Sequence, residues 1–413
     1  AGSDPGRVDF PVMGPPSFNG MATVFRVYGS PTPATPMPAV LMMHGNGGTW
    51  LDHRPVASDS GIDLALDPGL LVTLDDAFAY DDGGGVSVGP TRWFGSWDGF
   101  DRFAGGLSTP PNGSLVHPYT LRRNAWIRDW IVRDLGVDPD RVISAGYSMG
   151  GLGASTLARY APEKFSACLA LLFHTSMPSG TIGDYLRGTP AQNLPTSLGV
   201  TMAEVHDPTV ALAPGPLPPA HYLWGVADGV IPWTDKPTKI SSLNSQRAGV
   251  QIWWDTRLHN PAWTGHWVGS AGLRIGALTG IRRTQSYPAF SQEVGTDTDT
   301  SQSWGTRGGY LLWDPDTITE TAHGWDVDLW VRGTASLPAD VPAAASITVD
   351  VGLRRPQAFA PAPGAALTWS LTRISDGGLL QSGALTVGGD GLVTVPALVI
   401  PKDPTRVRLS IRD

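Results

Sequence analysis

The hydrophobic pattern changes period part-way along the chain, and this constrains the fold more than any other feature. From Met21 to about Gly280, short apolar runs alternate with helical spacing. The runs cover 39–43, 70–74, 142–145, 167–173, 221–226 and 250–254. Most are continuous rather than alternating, which suits strands buried on both faces of a mainly parallel sheet. Between them, 120–135 carries Ile127, Ile131 and Leu135 at spacing four, with Gly136 placed to end a helix. A second helical stretch, 150–160, stops before Pro162. Strands alternating with helices predict an α/β domain over 1–283.

From about Thr284 the helical spacing vanishes. Trp325-Val327-Leu329-Val331, Ile347-Val349-Val351-Leu353, Leu367-Trp369-Leu371 and Val407-Leu409-Ile411 alternate with polar residues at period two. Turn sequences such as Asp376-Gly377-Gly378 and Gly388-Gly389-Asp390-Gly391 separate them. Six or seven short strands are expected over 284–413, folded as an all-β antiparallel sandwich. Two stretches of the first domain, 83–113 and 177–219, are rich in Gly and Pro and read as irregular insertions beside a cleft.

Composition narrows the function classes. The net charge of −8 argues against a nucleic-acid partner or an anionic membrane surface. The longest apolar run, 167–173, is far short of the roughly 20 residues of a membrane span. One cysteine, Cys168, excludes an intramolecular disulfide scaffold and a cysteine-based metal site. The opening Ala1-Gly2-Ser3-Asp4 shows neither a basic nor an apolar leader, as expected of a mature secreted chain. A monomer is expected.

The chemistry concentrates in Gly146-Tyr147-Ser148-Met149-Gly150-Gly151. This G-x-S-x-G pattern directly follows an expected strand and directly precedes an expected helix. A nucleophile on so sharp a turn needs small flanking residues, and Gly146 and Gly150 supply them. A serine hydroxyl is a weak nucleophile and requires a base oriented by an acid, in the chain order Ser…Asp…His for such a fold. Asp228, just past the 221–226 run, is the candidate acid; Asp207 and Asp235 follow no strand directly. Two histidines follow the 250–254 run. His259 lies a short step from the strand end, whereas His266 follows a glycine in Thr264-Gly265-His266-Trp267, and the sequence leaves the two open as the base. Acyl transfer also needs N–H donors for an oxyanion. The Met149 amide is one candidate, and Asn46 or Gly47 in His44-Gly45-Asn46-Gly47-Gly48 is the other.

The His44–Gly47 turn, the Gly136-Val137-Asp138-Pro139-Asp140-Arg141-Val142 approach to the Ser148 motif and the Gly225–Pro232 segment together resemble the α/β-hydrolase superfamily. The flavour is that of secreted bacterial feruloyl and acetyl-xylan esterases and polyhydroxybutyrate-depolymerase-like enzymes. The resemblance covers about 20–280 and implies a Ser–His–Asp triad, no cofactor, and ester hydrolysis through an acyl-enzyme. The implied substrate is a small, polysaccharide-linked or polymeric ester. One departure is that His259 lacks the usual preceding glycine. The trailing region resembles fibronectin-III or immunoglobulin-like modules. The same triad chemistry also serves a serine peptidase or amidase, and a polymer-binding protein with a vestigial site is the reading from another class.

Sixteen tryptophans are unusual for this length. Trp50, Trp93, Trp97 and Trp233 fall beside the expected cleft and are candidate substrate contacts, although any one of them is as readily core. Asp297-Thr298-Asp299 and Asp314-Pro315-Asp316 place oxygen ligands at alternate positions, as a structural calcium site would, but solvated turns use the same pattern.

Overall fold

The computed structural model describes residues 24–29, 35–55, 64, 66, 68–179, 182–259, 278–333 and 342–413. The chain divides into two compact units, 1–59 with 66–215, and 60–65 with 216–413.

In the first unit the strands lie in the order Phe25–Tyr28, Leu70–Leu74, Met37–Met43, Val137–Tyr147, Ala167–Leu171. All run parallel except Phe25–Tyr28, which pairs antiparallel at the edge. Met37–Met43 is buried at every position, as its unbroken apolar run requires. The chain steps from this strand to one side and later returns to its other side, so the order reverses here. The carboxyl ends of Met37–Met43 and Val137–Tyr147 therefore flank a topological switch point, where open α/β sheets bind ligands.

The helix Tyr119–Leu135 buries Ile127 and Ile131 and ends at Gly136, whose φ of 66° is the left-handed cap expected of that glycine. The second helix, Met149–Tyr160, follows the Val137–Tyr147 strand after one residue. That strand starts five residues earlier than its apolar run suggests, because Asp138, Pro139 and Asp140 mask its first turn of pairing.

The two insertions are more ordered than their composition suggests. The first contributes Val86–Pro90 to a hairpin with the preceding Ala77–Asp81 and Ser96–Trp97 to a short pairing with the following Val116–His117. The second holds helices Ile182–Arg187 and Met202–His206. They pack on each other: Phe100, Tyr119 and Leu186 form a buried cluster with Trp97 and Ile182 against it.

In the second unit, Ala220–Gly225 and Val250–Asp255 run parallel, and Gly305–Arg307 pairs antiparallel with the latter. The remaining strands form two antiparallel sheets. One orders Tyr287–Val294, Ser346–Arg354, Thr394–Pro401; the other orders Leu311–Thr321, Gly324–Val331, Val407–Arg412, Ala366–Arg373, Leu379–Thr386. Alternate residues, among them Trp325, Val327, Leu329 and Val331, are wholly buried, so each sheet has one apolar inner face. The first unit is thus a mostly parallel sheet with helices packed on it, and the second carries a short parallel pair followed by an all-β two-sheet region.

Candidate active site

Ser148 occupies the single residue between the Val137–Tyr147 strand and the Met149–Tyr160 helix, at φ 58° and ψ −122°. A side chain in this region carries about 1–3 kcal/mol of backbone strain, so the surroundings must impose it. The Ser148 N–H donates to the Leu171 carbonyl at 2.8 Å, and its own carbonyl accepts from Leu152 N–H at 3.1 Å. The flanking glycines are steric necessities. A Cβ on Gly146 would stand 2.1 Å from the Gly150 carbonyl oxygen, and one on Gly150 would stand 2.0 Å from that of Met43. Ser148 is buried but for a small fraction, and Met149 begins the helix, where amides have no partner within the helix.

The loop after Met43 lies against this elbow: a Cβ on Gly45 would meet the Ser148 Cβ at 3.4 Å. Gly48 N–H donates to the Gly45 carbonyl at 3.1 Å, closing a tight turn with Gly47 at φ 77°. Asn46 and Gly47 form its exposed tip. His44 anchors the base of the turn. Its Nδ1 lies 2.7 Å from the Gly45 carbonyl oxygen, and its Nε2 accepts from Asp76 N–H at 3.2 Å, which assigns the neutral tautomer with the proton on Nδ1. Burial acts to lower the His44 pKa, but Asp75 beside Nε2, the Gly45 carbonyl and the Asp76 charge together hold it above the ordinary value.

The second unit carries the candidate acid and one of the two candidate histidines. Asp228 follows the Ala220–Gly225 strand, and its Oδ1 accepts from Val230 and Ile231 N–H at 2.9 and 2.8 Å. Its Oδ2 lies 2.7 Å from His259 Nδ1. Burial acts to raise the Asp228 pKa, but these three donors and the imidazole charge hold it below the usual carboxylate value. With Nδ1–H given to Asp228, Nε2 of His259 is the nitrogen left to act as a base. His266 lies outside the described residues. Asp207 caps its own turn through Thr209, and Asp235 pairs with Lys236 Nζ at 2.7 Å.

Sequence reasoning missed the clamp that holds the histidine loop. Arg257 Nε and Nη2 each lie 2.7 Å from an oxygen of Asp255, and both side chains are buried. Val226 N–H donates to the Asp255 carbonyl at 2.7 Å, and Gly225 leaves room for the Arg257 backbone, where a Cβ would stand 2.5 Å from its carbonyl oxygen. The acid loop and the histidine loop are thus fastened together two residues before His259. An Asp-x-Arg directly after an apolar strand was the available signal.

The candidate tryptophans separate by burial. Trp93 is fully buried; its Nε1 donates to the His44 carbonyl at 3.2 Å, and its ring packs against Gly153. Trp97 is half-buried and donates to the Tyr185 carbonyl at 3.0 Å, joining the two insertions. Trp50 and Trp233 are half-buried, with the Arg26 guanidinium 6.0 Å from the Trp50 ring and the Trp254 ring 6.1 Å from that of Trp233. Of the paired acidic turns, Asp297 accepts from Tyr310 Oη at 2.6 Å, Asp299 from Ser301, and Asp314 from Asp316 N–H. Among the described residues no group of three or more His, Cys, Asp or Glu side chains is placed to hold a metal ion.

No family model matches the chain. The multifunctional-autoprocessing repeats-in-toxin proteins of Vibrio cholerae serotype O1 and Vibrio vulnificus are each 47% identical to it over 53 residues, 13% of this chain and 1% of theirs. The chain therefore spans about one hundredth of those curated relatives. Among solved structures it is similar to an S-formylglutathione hydrolase from Agrobacterium tumefaciens, with 17% identity and a TM-score of 0.41 over 58% of this chain and 83% of that one. It is also similar to Thermogutta terrifontis esterase 2, with 16% identity and a TM-score of 0.36 over 58% and 80%. A third, dipeptidyl peptidase 4 from Porphyromonas gingivalis, has 13% identity and a TM-score of 0.41 over 60% and 31%.

Proposed function

We propose that the chain is a serine carboxylic-ester hydrolase in which Ser148 is the nucleophile, His259 the base and Asp228 the acid. The observation that carries this reading is the strained Ser148 elbow, whose flanking glycines leave no room for a Cβ. The Asp228–His259 contact of 2.7 Å adds an imidazole already set in the tautomer a base requires. Ser148 Oγ attacks the ester carbonyl carbon while its proton passes to His259 Nε2. The tetrahedral oxyanion takes hydrogen bonds from the Met149 amide and the turn at Gly45, Asn46 and Gly47. Collapse breaks the bond to the alkoxy oxygen, which leaves as the alcohol with the proton from His259. Water then attacks the acyl-enzyme, giving its proton to His259, and releases the acid and free Ser148.

The reaction uses no cofactor, with 1–283 as its catalytic domain and 284–413 as an accessory β-sandwich. The substrate class is a small, polysaccharide-linked or polymeric ester met outside the cell, with half-buried Trp50, Trp97 and Trp233 as apolar contacts. A fluorophosphonate probe should modify Ser148, and Ser148→Ala should lose both the adduct and more than nine-tenths of aryl-ester turnover. An unlabelled wild-type protein without esterase turnover would favour a polymer-binding role. Faster cleavage of peptides than of esters would favour a peptidase.

A further inference from the structure

Two buried arginines of the insertions stand without a counter-ion in contact. Arg92 belongs to the first insertion and is 8% exposed; Arg187 ends the Ile182–Arg187 helix of the second and is 1% exposed. Among the described residues, no carboxylate lies within 4.0 Å of either guanidinium, and the Nε of each has no hydrogen-bond partner. Arg187 donates from Nη1 to Nε2 of His206 at 3.3 Å, and His206 Nδ1 faces the Met202 carbonyl at 2.8 Å. That imidazole is therefore neutral, and burial followed by the Arg187 charge holds its pKa well below the ordinary value. Asp184 and Asp76 act on the two guanidiniums only from longer range. Burial, and next the like charge of Arg92, push the Arg187 pKa down to about 9. Leaving buried cations without a contacting anion is costly, and an incoming carboxylate would relieve that cost.

Their position connects them with the elbow. The residue after Arg92 is Trp93, which holds the His44 carbonyl and packs on Gly153, within the helix that Ser148 opens. Arg92 and Trp93 both have left-handed φ, 55° and 62°, and the Trp93 N–H donates to Asp76 at 2.9 Å. The strained backbone thus fixes the path of the chain at Arg92. From the other side, the charge of His174, three residues past Leu171, acts on His206. Leu171 is the residue whose carbonyl holds Ser148 N–H.

We propose that Arg92 and Arg187 form the receiving site for a carboxylate carried by the ester substrate, so that half-esters of dicarboxylic acids and similarly anionic esters are preferred over neutral ones. Guanidinium groups match a carboxylate in shape and in donor geometry, and the buried setting strengthens the pairing. This inference rests on the esterase reading above, and its test separates the two.

The kcat/KM for 4-nitrophenyl hemisuccinate is compared with that for 4-nitrophenyl butyrate, and 4-acetoxybenzoate with phenyl acetate, so that both acyl-side and alcohol-side carboxylates are sampled. At least one pair should favour the anionic ester by tenfold or more, and Arg92→Gln should cut that ratio at least tenfold. Independently of turnover, succinate should raise the Tm of the Ser148→Ala protein above its value in chloride of equal ionic strength, and succinamide should not. The rise should be absent from the Arg92→Gln, Ser148→Ala double variant. Ratios near one in both pairs, with no succinate effect on Tm, would overturn the site even if neutral esters are cleaved and Ser148 is labelled. A succinate effect with no esterase turnover and no adduct would keep the site and overturn the esterase reading. Should Arg92→Gln fail to fold, the wild-type ratios and the succinate effect on Ser148→Ala decide alone.

Discussion

The Arg257 guanidinium grips both oxygens of the Asp255 carboxylate, two residues earlier in the chain, with neither side chain reaching solvent. Removing one partner strands the other charge in the interior, which costs about 3–5 kcal/mol. Arg257→Met should therefore lower the urea midpoint by that equivalent and depress ester turnover further through the loosened His259. Asp255→Leu combined with Arg257→Met should recover much of the stability without recovering the turnover.

The elbow strain at Ser148 makes a stability prediction opposite in sign to the activity one. Glycine tolerates φ 58° without a Cβ penalty, whereas alanine keeps the strain. Ser148→Gly should be more stable than Ser148→Ala by about 1 kcal/mol in chemical denaturation, with both variants inactive. Gly150→Ala, whose Cβ would stand 2.0 Å from the Met43 carbonyl oxygen, should lose fluorophosphonate labelling although Ser148 is intact.

Which histidine serves as base is settled by two single substitutions. His259→Ala should abolish turnover, and His266→Ala should retain it within about tenfold, the loss of a general base being worth about 10²–10⁴ in rate. The reverse pattern would move the base to His266.

Glu293 makes stability depend on pH. It is buried on the Tyr287–Val294 strand, accepting from Gly308 N–H at 2.5 Å, with Arg307 and Asp297 nearby. Burial pushes its pKa up from 4.5 to about 7. The folded state therefore holds a proton that the unfolded chain releases at lower pH, so stability falls as pH rises from about 4.5 to 7 and stays lower above that. The loss is about 3 kcal/mol, since each tenfold difference in proton affinity between the two states is worth roughly 1.4 kcal/mol. Thermal melts of Glu293→Gln between mildly acidic and mildly alkaline pH should show a shallower decline than the wild type.

Burial also sorts the tryptophans. Trp93→Ala should cost about 3–5 kcal/mol in unfolding free energy, because a fully enclosed ring and its bond to the His44 carbonyl are lost together. Trp50→Ala should cost about 1 kcal/mol or less and raise KM for apolar esters, measured by melts and initial rates.

Much of the site was readable because backbone chemistry dictates residue type. Only glycine fits at 146 and 150, and a mostly apolar run precedes both Ser148 and Asp228, so these positions are written into the sequence. Elements that depend on distant partners are not. Arg257 and Asp255 look like an ordinary polar loop until the fold buries them, and the Ala77–Asp81 hairpin hides behind Gly83-Gly84-Gly85. The Leu379–Thr386 strand is mostly exposed on both faces, which erases the alternation that marked its neighbours; with the short Gly305–Arg307 it brings the strands among the described residues of 284–413 to nine, where six or seven were expected. Trp93 and Trp97 sit in one segment of similar composition, yet only tertiary packing decides that the first is enclosed and the second is not.

The three-residue strand Gly305–Arg307 bears on how this chain can be cut or recombined. After supplying Tyr287–Val294 to the three-stranded sheet, the chain returns to lie along Val250–Asp255 before entering the remaining β strands. Gln251 Nε2 donates to the Gly308 and Leu311 carbonyls, Thr306 donates to that of Ile252, and Gly305 lies so close to Trp254 that a Cβ would overlap its ring. A fragment ending at 283 would expose the raw margin of Val250–Asp255, an invitation to pair with another copy. The C-terminal region is therefore not a cassette to be exchanged at that point, because part of the upstream architecture is encoded downstream of it.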